Sequence, residues 1–194
     1  MLPPVLRHML SLGYAVFENG DYNLNLFGVR SLSRDSNEFD DYLGCAYKDN
    51  DMWRVEWWEA TTDPGQRILA KPINKKGAAI LRPGQYRGAY RLGLHSGKYK
   101  ALCQRGGPVK VWRDPNKDNV LDMDDSNTDE GYFGINIHKR IVGEHDKVNG
   151  ASAGCQVFRY QDAFERMMYL AHRQVQEHTS KSFTYTLLDQ WWEE

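Results

Sequence analysis

Between residues 22 and 140 the chain is a succession of short β-rich runs separated by turn-forming residues, and several of the runs alternate apolar with polar side chains. The runs are YNLNLFGVRS (22–31), FDDYLGCAYK (39–48), MWRVEWWEAT (52–61), AAILRP (78–83), YRGAYRLGL (86–94), KALCQ (100–104), VKVWRD (109–114) and GINIHKR (134–140). Alternation with period two puts one face of a run against a core and the other in water, which is strand geometry. The separators KDND (48–51), TDPGQ (62–66), RPGQ (82–85), HSGK (95–98) and RGGP (105–108) supply turn chemistry. One segment has a helical period. In YQDAFERMMYLAHRQVQEH (160–178), Phe164, Met167, Met168, Ala171 and Val175 recur at three- and four-residue steps, with Asp162 placed to cap the start. Its Met pair reads as core filling. KSFTYTLLDQWW (181–192) returns to strand composition. The expected fold is mostly β (β-rich α+β), with one C-terminal helix directly after a cysteine turn.

A chain of 194 residues, 41% of them hydrophobic, buries a sizeable core and fits a single domain over 1–194. A mean hydropathy of −0.69 and no apolar run near the length of a bilayer span predict no membrane insertion. The opening MLPPVLRHMLSLGYAVFENG carries Pro3, Pro4, Arg7 and His8 and no small-residue cleavage pattern, so synthesis in the cytoplasm without a signal peptide is expected. Cys45, Cys103 and Cys155 are widely spaced, giving neither a disulfide framework nor a CxxC metal site, and leave room for one reactive thiol.

Charge is unevenly placed. Residues 66–113 hold twelve Lys or Arg and no acid, whereas 114–130 hold seven acids and one lysine. Solvated surface is the plainer reading. The functional one is a groove for an anionic ligand followed by a loop for a hard cation. DPNKDNVLDMDD (114–125) fits an EF-hand-type loop with Asp114, Asn116, Asp118, the Val120 carbonyl, Asp122 and Asp125 as ligands. Asn119 stands where glycine is usual, and Asp125 where glutamate is, which predicts weaker coordination. A structural calcium there, bracing the connection to the His138 strand, competes with an ordinary acidic loop. No phosphate loop, dinucleotide fingerprint, zinc spacing or nucleic-acid module is present, so no nucleic-acid partner is expected.

His138 lies on the last alternating run, and Cys155 follows seventeen positions later in the turn NGASAGCQVF (149–158). They read either as ordinary core residues or as a base and a nucleophile. A cysteine attacks as thiolate, which an imidazole or a helix N-terminus helps to form. Gly154 permits a tight turn that exposes sulfur and backbone amides for an oxyanion, and Ser152 is placed to orient the imidazole or bind substrate. His95 reads as a turn residue, and His145 as a competing base in a loop. WRVEWW (53–58) and the terminal WW (191–192) read as packing ahead of sugar-stacking platforms.

The order IHKR … SAGCQV resembles the signature of the L,D-transpeptidase (YkuD-like) family, over about residues 55–160. TTDPGQ and ILRPGQYRGAYRLGL look like that family's strands and turn, with Pro83, Gly84 and Tyr86 matching loosely. The resemblance implies an L,D-transpeptidase-like β-sandwich in which Cys155 is the acylated nucleophile, His138 the general base, and Ser152 and Gly154 the turn positions. Other common cysteine enzymes of peptidoglycan place cysteine before histidine. Two positions depart from the pattern: Ala153 replaces a histidine, and Val157 stands where Arg or Asn is common. Substrate carboxylate binding is then assigned to Arg159 or a basic residue of 67–113, with Tyr86 and Arg87 as further substrate contacts. The implied reaction is acyl transfer on peptidoglycan stem peptides, to an amine or to water, without a catalytic cofactor. YFGINIHK … SAGCQVF is similar to phage-borne members of the group, which implies action at the cell wall from a virion, beside other virion proteins, or after release as a lysis protein. The competing expectations are a non-catalytic wall-binding or virion module and a cysteine hydrolase of another amide.

Overall fold

The computed structural model describes residues 1–140 and 146–192. In chain order the elements are α1 (Pro4–Ser11), β1 (Asn25–Arg30), β2 (Asp41–Asp49), β3 (Met52–Thr61), α2 (Gln66–Ala70), β4 (Ala78–Leu81), β5 (Gly84–His95), β6 (Tyr99–Gln104), β7 (Val109–Asp114), β8 (Thr128–Gly131), β9 (Ile137–Lys139), β10 (Gln156–Phe158), α3 (Gln161–Glu177) and β11 (Ser182–Asp189). The fold is mostly β, as the alternation predicts. Eight strands close into a barrel in the order β1-β11-β5-β6-β9-β10-β3-β2, and β4, β7 and β8 form a second, antiparallel sheet. Among the described residues no helix is long and apolar enough to cross a membrane.

Two expectations need correction. The main sheet closes on itself where a sandwich of two stacked sheets was expected. Closure comes from β11, which pairs antiparallel with β5 and parallel with β1, setting Leu26 opposite Tyr185 and Arg30 opposite Asp189. Composition marked 181–192 as a strand but carried no information about its partners. There are also three helices where one was expected. Pro4 sits in the first turn of α1, where a missing N–H leaves no bond unmade. Val5, Leu6 and Met9 then form a stripe that packs on Phe27, Val29 and Leu188. That cover buries β1 along its whole length, so its outward side chains are as apolar as its inward ones. α2 buries Leu69 against Ala78, Ile80 and Leu121. β8 and β10, of four and three residues, are too short to show a period.

The local chemistry of the longer elements is as the sequence suggests. β2 and β3 form a hairpin whose central Asn50 and Asp51 adopt φ of 52° and 59°, the left-handed pair that a two-residue turn requires. The Asp21 carboxylate accepts both of their amides. Helix α3 turns Phe164, Met167, Met168 and Ala171 into the main core beside Phe158 and Phe183. Its N-cap is Tyr160; Asp162 lies in the first turn.

One buried charge bridges the two sheets. Arg30, at the end of β1, is 1% exposed. It donates to the Thr62 hydroxyl (3.0 Å), the Thr62 carbonyl (3.1 Å) and the Leu81 carbonyl of β4 (2.8 Å), and its Nε lies 2.9 Å from Asp63. Asp41 is buried beside this group and accepts from the Ser31 amide and from both the amide and hydroxyl of Thr62. The guanidinium thus pairs with Asp63 and acts on the nearby Asp41 electrostatically. Burial, then the charge of Asp63, pushes Asp41 up to about 8, and burial raises Asp63 as well. A carboxyl raised in the folded state stabilises fully below its ordinary pKa and loses that contribution as pH climbs through the raised value. The melting temperature is therefore expected to fall as pH rises from about 4 to about 8, and Asp41→Asn to flatten the slope, read by calorimetry at stepped pH.

Candidate functional site

β9 and β10 lie side by side and parallel, with Ile137 opposite Gln156 and His138 opposite Val157. Paired neighbours point to one face of a sheet. His138 and Val157 therefore share the face opposite that of Ile137 and Phe158, which belong to the main core. Cys155 packs with Val157, Phe39 and Val148 on that same side. From strand spacing, the Cys155 and His138 backbones are about two residues apart along the strands (~6.6 Å) and one strand apart across them (~4.8 Å).

The turn that carries the thiol accepts only glycine at one position. Gly154 has φ +104°, and a Cβ there would lie 2.2 Å from the Ala79 carbonyl oxygen. Ser152 is fully buried, donates its hydroxyl to the Cys155 carbonyl (2.8 Å) and accepts the Gly154 amide (3.1 Å). Its hydroxyl fixes the turn and is bonded to backbone, away from the imidazole it was expected to orient. The Gly154 amide, expected at the oxyanion, is likewise already bonded. Facing the sulfur instead are the amides of Asn136, at 3.4 Å, and Ala153, while the thiol donates to the Gly134 carbonyl at 3.5 Å.

Cys155 opens on a cleft of about 310 Å³ lined by Arg113, Tyr132, Phe133, Gly134 and Ala153. Burial pushes its thiol up to about 11, against the pull of the Asn136 and Ala153 amides. Burial, then the neighbouring His95, holds His138 down to about 4. The resting pair is thus neutral thiol and neutral imidazole. His138 Nδ1 lies 2.7 Å from the Lys139 carbonyl, so Nδ1 carries the proton and Nε2 is the acceptor. The Tyr99 hydroxyl, 3.3 Å from the same nitrogen, donates to that carbonyl as well.

Neighbours that the sequence did not single out fix this arrangement. Asn136 Oδ1 accepts the Gln104 amide at 2.9 Å, so its Nδ2 donates to His95 Nδ1 at 3.1 Å. The His95 ring stacks on His138 with centroids 4.0 Å apart. The 131–135 wall of the cleft hangs on one side chain. Gln104 Oε1 accepts the amides of Phe133, Gly134 and Ile135, while its Nε2 donates to the Gly107 and Gly131 carbonyls. Arg113 is the cation of the cleft, 5% exposed, bonded to Asp129 and lying on the face of Phe133. It belongs to the basic 67–113 stretch from which a carboxylate-binding side chain was expected. Period two on GINIHKR already places Asn136 on the face of His138, and the hairpin between His95 and Tyr99 brings those two rings together. Nothing in KALCQ marks Gln104.

The expected substrate contacts are not brought to the cleft. Arg159 bonds Glu59 at 2.6 Å and lies 3.6 Å from Asp146. The Tyr86 hydroxyl donates to the Arg82 carbonyl and is 3.2 Å from that of Lys110. Arg87 is exposed beside other cavities. His145 lies outside the described residues. In the acidic loop, Asn119 takes the expected left-handed φ, +68°. Asp125, however, accepts from Trp112 Nε1 and pairs with Arg82 (2.7 Å), away from the other expected ligands. Among the described residues no three His, Cys, Asp or Glu side chains converge into a ready-made metal cage. No family model, curated protein or solved structure matches this chain.

Two outcomes follow from this geometry. Gly154→Ala is expected to cost about 1–3 kcal/mol of unfolding free energy, read by urea titration, because both the left-handed backbone and the Ala79 carbonyl resist a Cβ. Alkylation of Cys155 by iodoacetamide in the folded protein is expected to be slow at neutral pH and to rise steadily toward pH 11, read by intact mass.

Proposed function

We propose that the chain is a cysteine acyl-transfer enzyme acting on peptidoglycan stem peptides, of L,D-transpeptidase or L,D-carboxypeptidase/endopeptidase type. One observation carries the reading: a cleft-lining thiol and a neutral imidazole occupy one face of two adjacent parallel strands. The likeness to the L,D-transpeptidase family rests on the IHKR … SAGCQV order of the sequence, and the adjacent strands β9 and β10 are compatible with it. On this reading the family-like core is about 55–160, extended by the N-terminal strands and the C-terminal helix and strand.

In the proposed mechanism His138 Nε2 takes the Cys155 proton as sulfur bonds to the carbonyl carbon of the residue before the scissile amide. The amide C–N bond then breaks, and its nitrogen leaves as an amine with the proton from the imidazolium. Water or an amine next attacks the thioester and gives up a proton to the imidazole. Sulfur departs and recovers its proton. Held near pKa 4, the imidazole is unprotonated at neutral pH and has a free nitrogen to accept a proton. Arg113 is the group in the cleft wall suited to a substrate carboxylate, and the side chains that fix it are Asp129 and Phe133. No cofactor enters the steps. The site of action on this reading is the cell wall, reached as part of a phage virion or as a released lysis protein.

The second reading, a non-catalytic wall-binding or virion module, is favoured by one observation, the buried thiol raised to about 11. Incubation with tetrapeptide muropeptides, followed by mass spectrometry, separates the two. The enzyme is expected to release the terminal D-alanine and to carry an acyl adduct on Cys155 that Cys155→Ala lacks. His138→Gln is expected to lower turnover by about 10²–10⁴-fold. A folded wild-type protein with neither adduct nor product on these substrates would leave the binding module as the better reading.

A further inference from the structure

The loop between β7 and β8 holds a concentration of carboxylates that the proposed acyl transfer does not use. Its ends are tied together, the Arg113 amide donating to the Asn127 carbonyl and Asn127 Nδ2 to the Arg113 carbonyl. Of its acids, Asp125 is paired with Arg82, and Asp124 accepts the Ser126 amide and hydroxyl. Asp114, Asp118 and Asp122 make no ion pair among the described residues. A cluster of this kind is ordinarily a solvated surface, but Asp114 is 1% exposed.

The Asp114 carboxyl is directed into the loop, because its Oδ2 accepts the Asp122 amide at 3.1 Å. Its Oδ1 is buried and has no hydrogen-bond donor, and neither has the buried Oδ1 of Asn119 in the same loop. Two orphaned acceptors within six residues are costly unless something positive meets them. Asn116 Nδ2 touches Asp118 Oδ2 (3.0 Å) and Asp122 Oδ2 (2.7 Å) together, so both carboxylates already converge on a single point.

We propose that the 114–122 loop binds a calcium-sized divalent cation through Asp114 Oδ1, Asp118 and Asp122, with the Asn116 amide oxygen and the Val120 carbonyl completing the set. The cation replaces the Asn116 NH₂ group as the common partner of Asp118 and Asp122, and the Asn116 amide turns its oxygen inward. The set mixes carboxylates with amide and backbone oxygens and is drawn together by the ion, which is why no cage of three acids stands ready beforehand. Flexible, all-oxygen coordination of this sort suits calcium better than magnesium, which demands near-ideal octahedral geometry. Asp125 takes no part, being held by Trp112 and Arg82.

The test uses the full chain freed of metal with a chelator, titrated with terbium while Trp112 at the base of the loop is excited. Saturable emission is expected, reversed by calcium with a dissociation constant on the order of 10⁻⁴ M and unaffected by magnesium at the same concentration. Asp118→Asn and Asp122→Asn are expected to weaken binding at least tenfold, Asn116→Ala to weaken it less, and Asp125→Asn to leave it unchanged. Far-UV circular dichroism checks that each variant folds. Calcium is also expected to raise the melting temperature of the wild type by a few degrees and not that of Asp118→Asn. Absence of calcium-reversible emission from the folded wild type would overturn the site. So would folded Asp118→Asn and Asp122→Asn variants that bind as the wild type does. Equal displacement by magnesium would overturn the selectivity for calcium. None of these readouts depends on Cys155.

Discussion

The buried guanidinium of Arg30 is the interaction on which the two-sheet arrangement depends. It leaves the end of β1, reaches the Thr62 and Asp63 segment that follows β3, and ends on the Leu81 carbonyl of β4. A buried ion pair is weak evidence of net stability, because desolvation offsets its attraction; removing one partner of it is nonetheless strongly unfavourable. Arg30 therefore acts mainly as a constraint. Any packing of the barrel against the smaller sheet that strands this charge is excluded, and the one that satisfies it brings β4 and the start of α2 beside the cysteine turn. The contact of Gly154 with the Ala79 carbonyl is a consequence of that placement.

The candidate site is built by backbone satisfaction more than by catalytic side chains meeting one another. Gln104 gathers three successive amides at the 133–135 wall, Ser152 closes the Gly154 turn, and Asn136 presents its amide to sulfur and its side chain to His95. Each is a polar group whose partners leave few alternatives in a dry interior. The same dryness holds the thiol and the imidazole in their neutral forms. On the proposed reading such a pair is activated by proton transfer during reaction, in contrast to sites where a thiolate is stabilised in advance by a cation or a helix end.

The fold was legible where period two was sustained. MWRVEWWEAT and VKVWRD match β3 and β7 residue for residue, and the 160–178 periodicity gives α3 to within a residue at each end. It was not legible where tertiary cover removes alternation, as in β1 beneath α1, or where strands are too short to show a period, as in β8 and β10. Barrel closure was invisible because a strand's composition says nothing of its neighbours. The order of His138 and Cys155 and the need for glycine at 154 were readable from residue types. The roles assigned to Arg159, Tyr86 and Arg87 were not, because a long cation is placed by its partners and each of these is placed away from the cleft. Arg113 is the counter-example. It lies in the basic stretch, yet only its bond to Asp129 and its seat on Phe133 reveal which way it faces.

Closure by a parallel pair between β1 and β11 also governs the order in which the molecule can assemble. The two strands are separated by most of the chain, so a ribosome must deliver the residues through Asp189 before the barrel has no open seam. Until then β1 and β5 each present an unpaired edge able to recruit strands from other chains. Helix α1 covers a face of β1 but leaves its hydrogen-bonding edge bare. The nascent protein is thus most prone to aggregation late in its synthesis, when nearly all of its apolar surface exists and the strand that seals it does not.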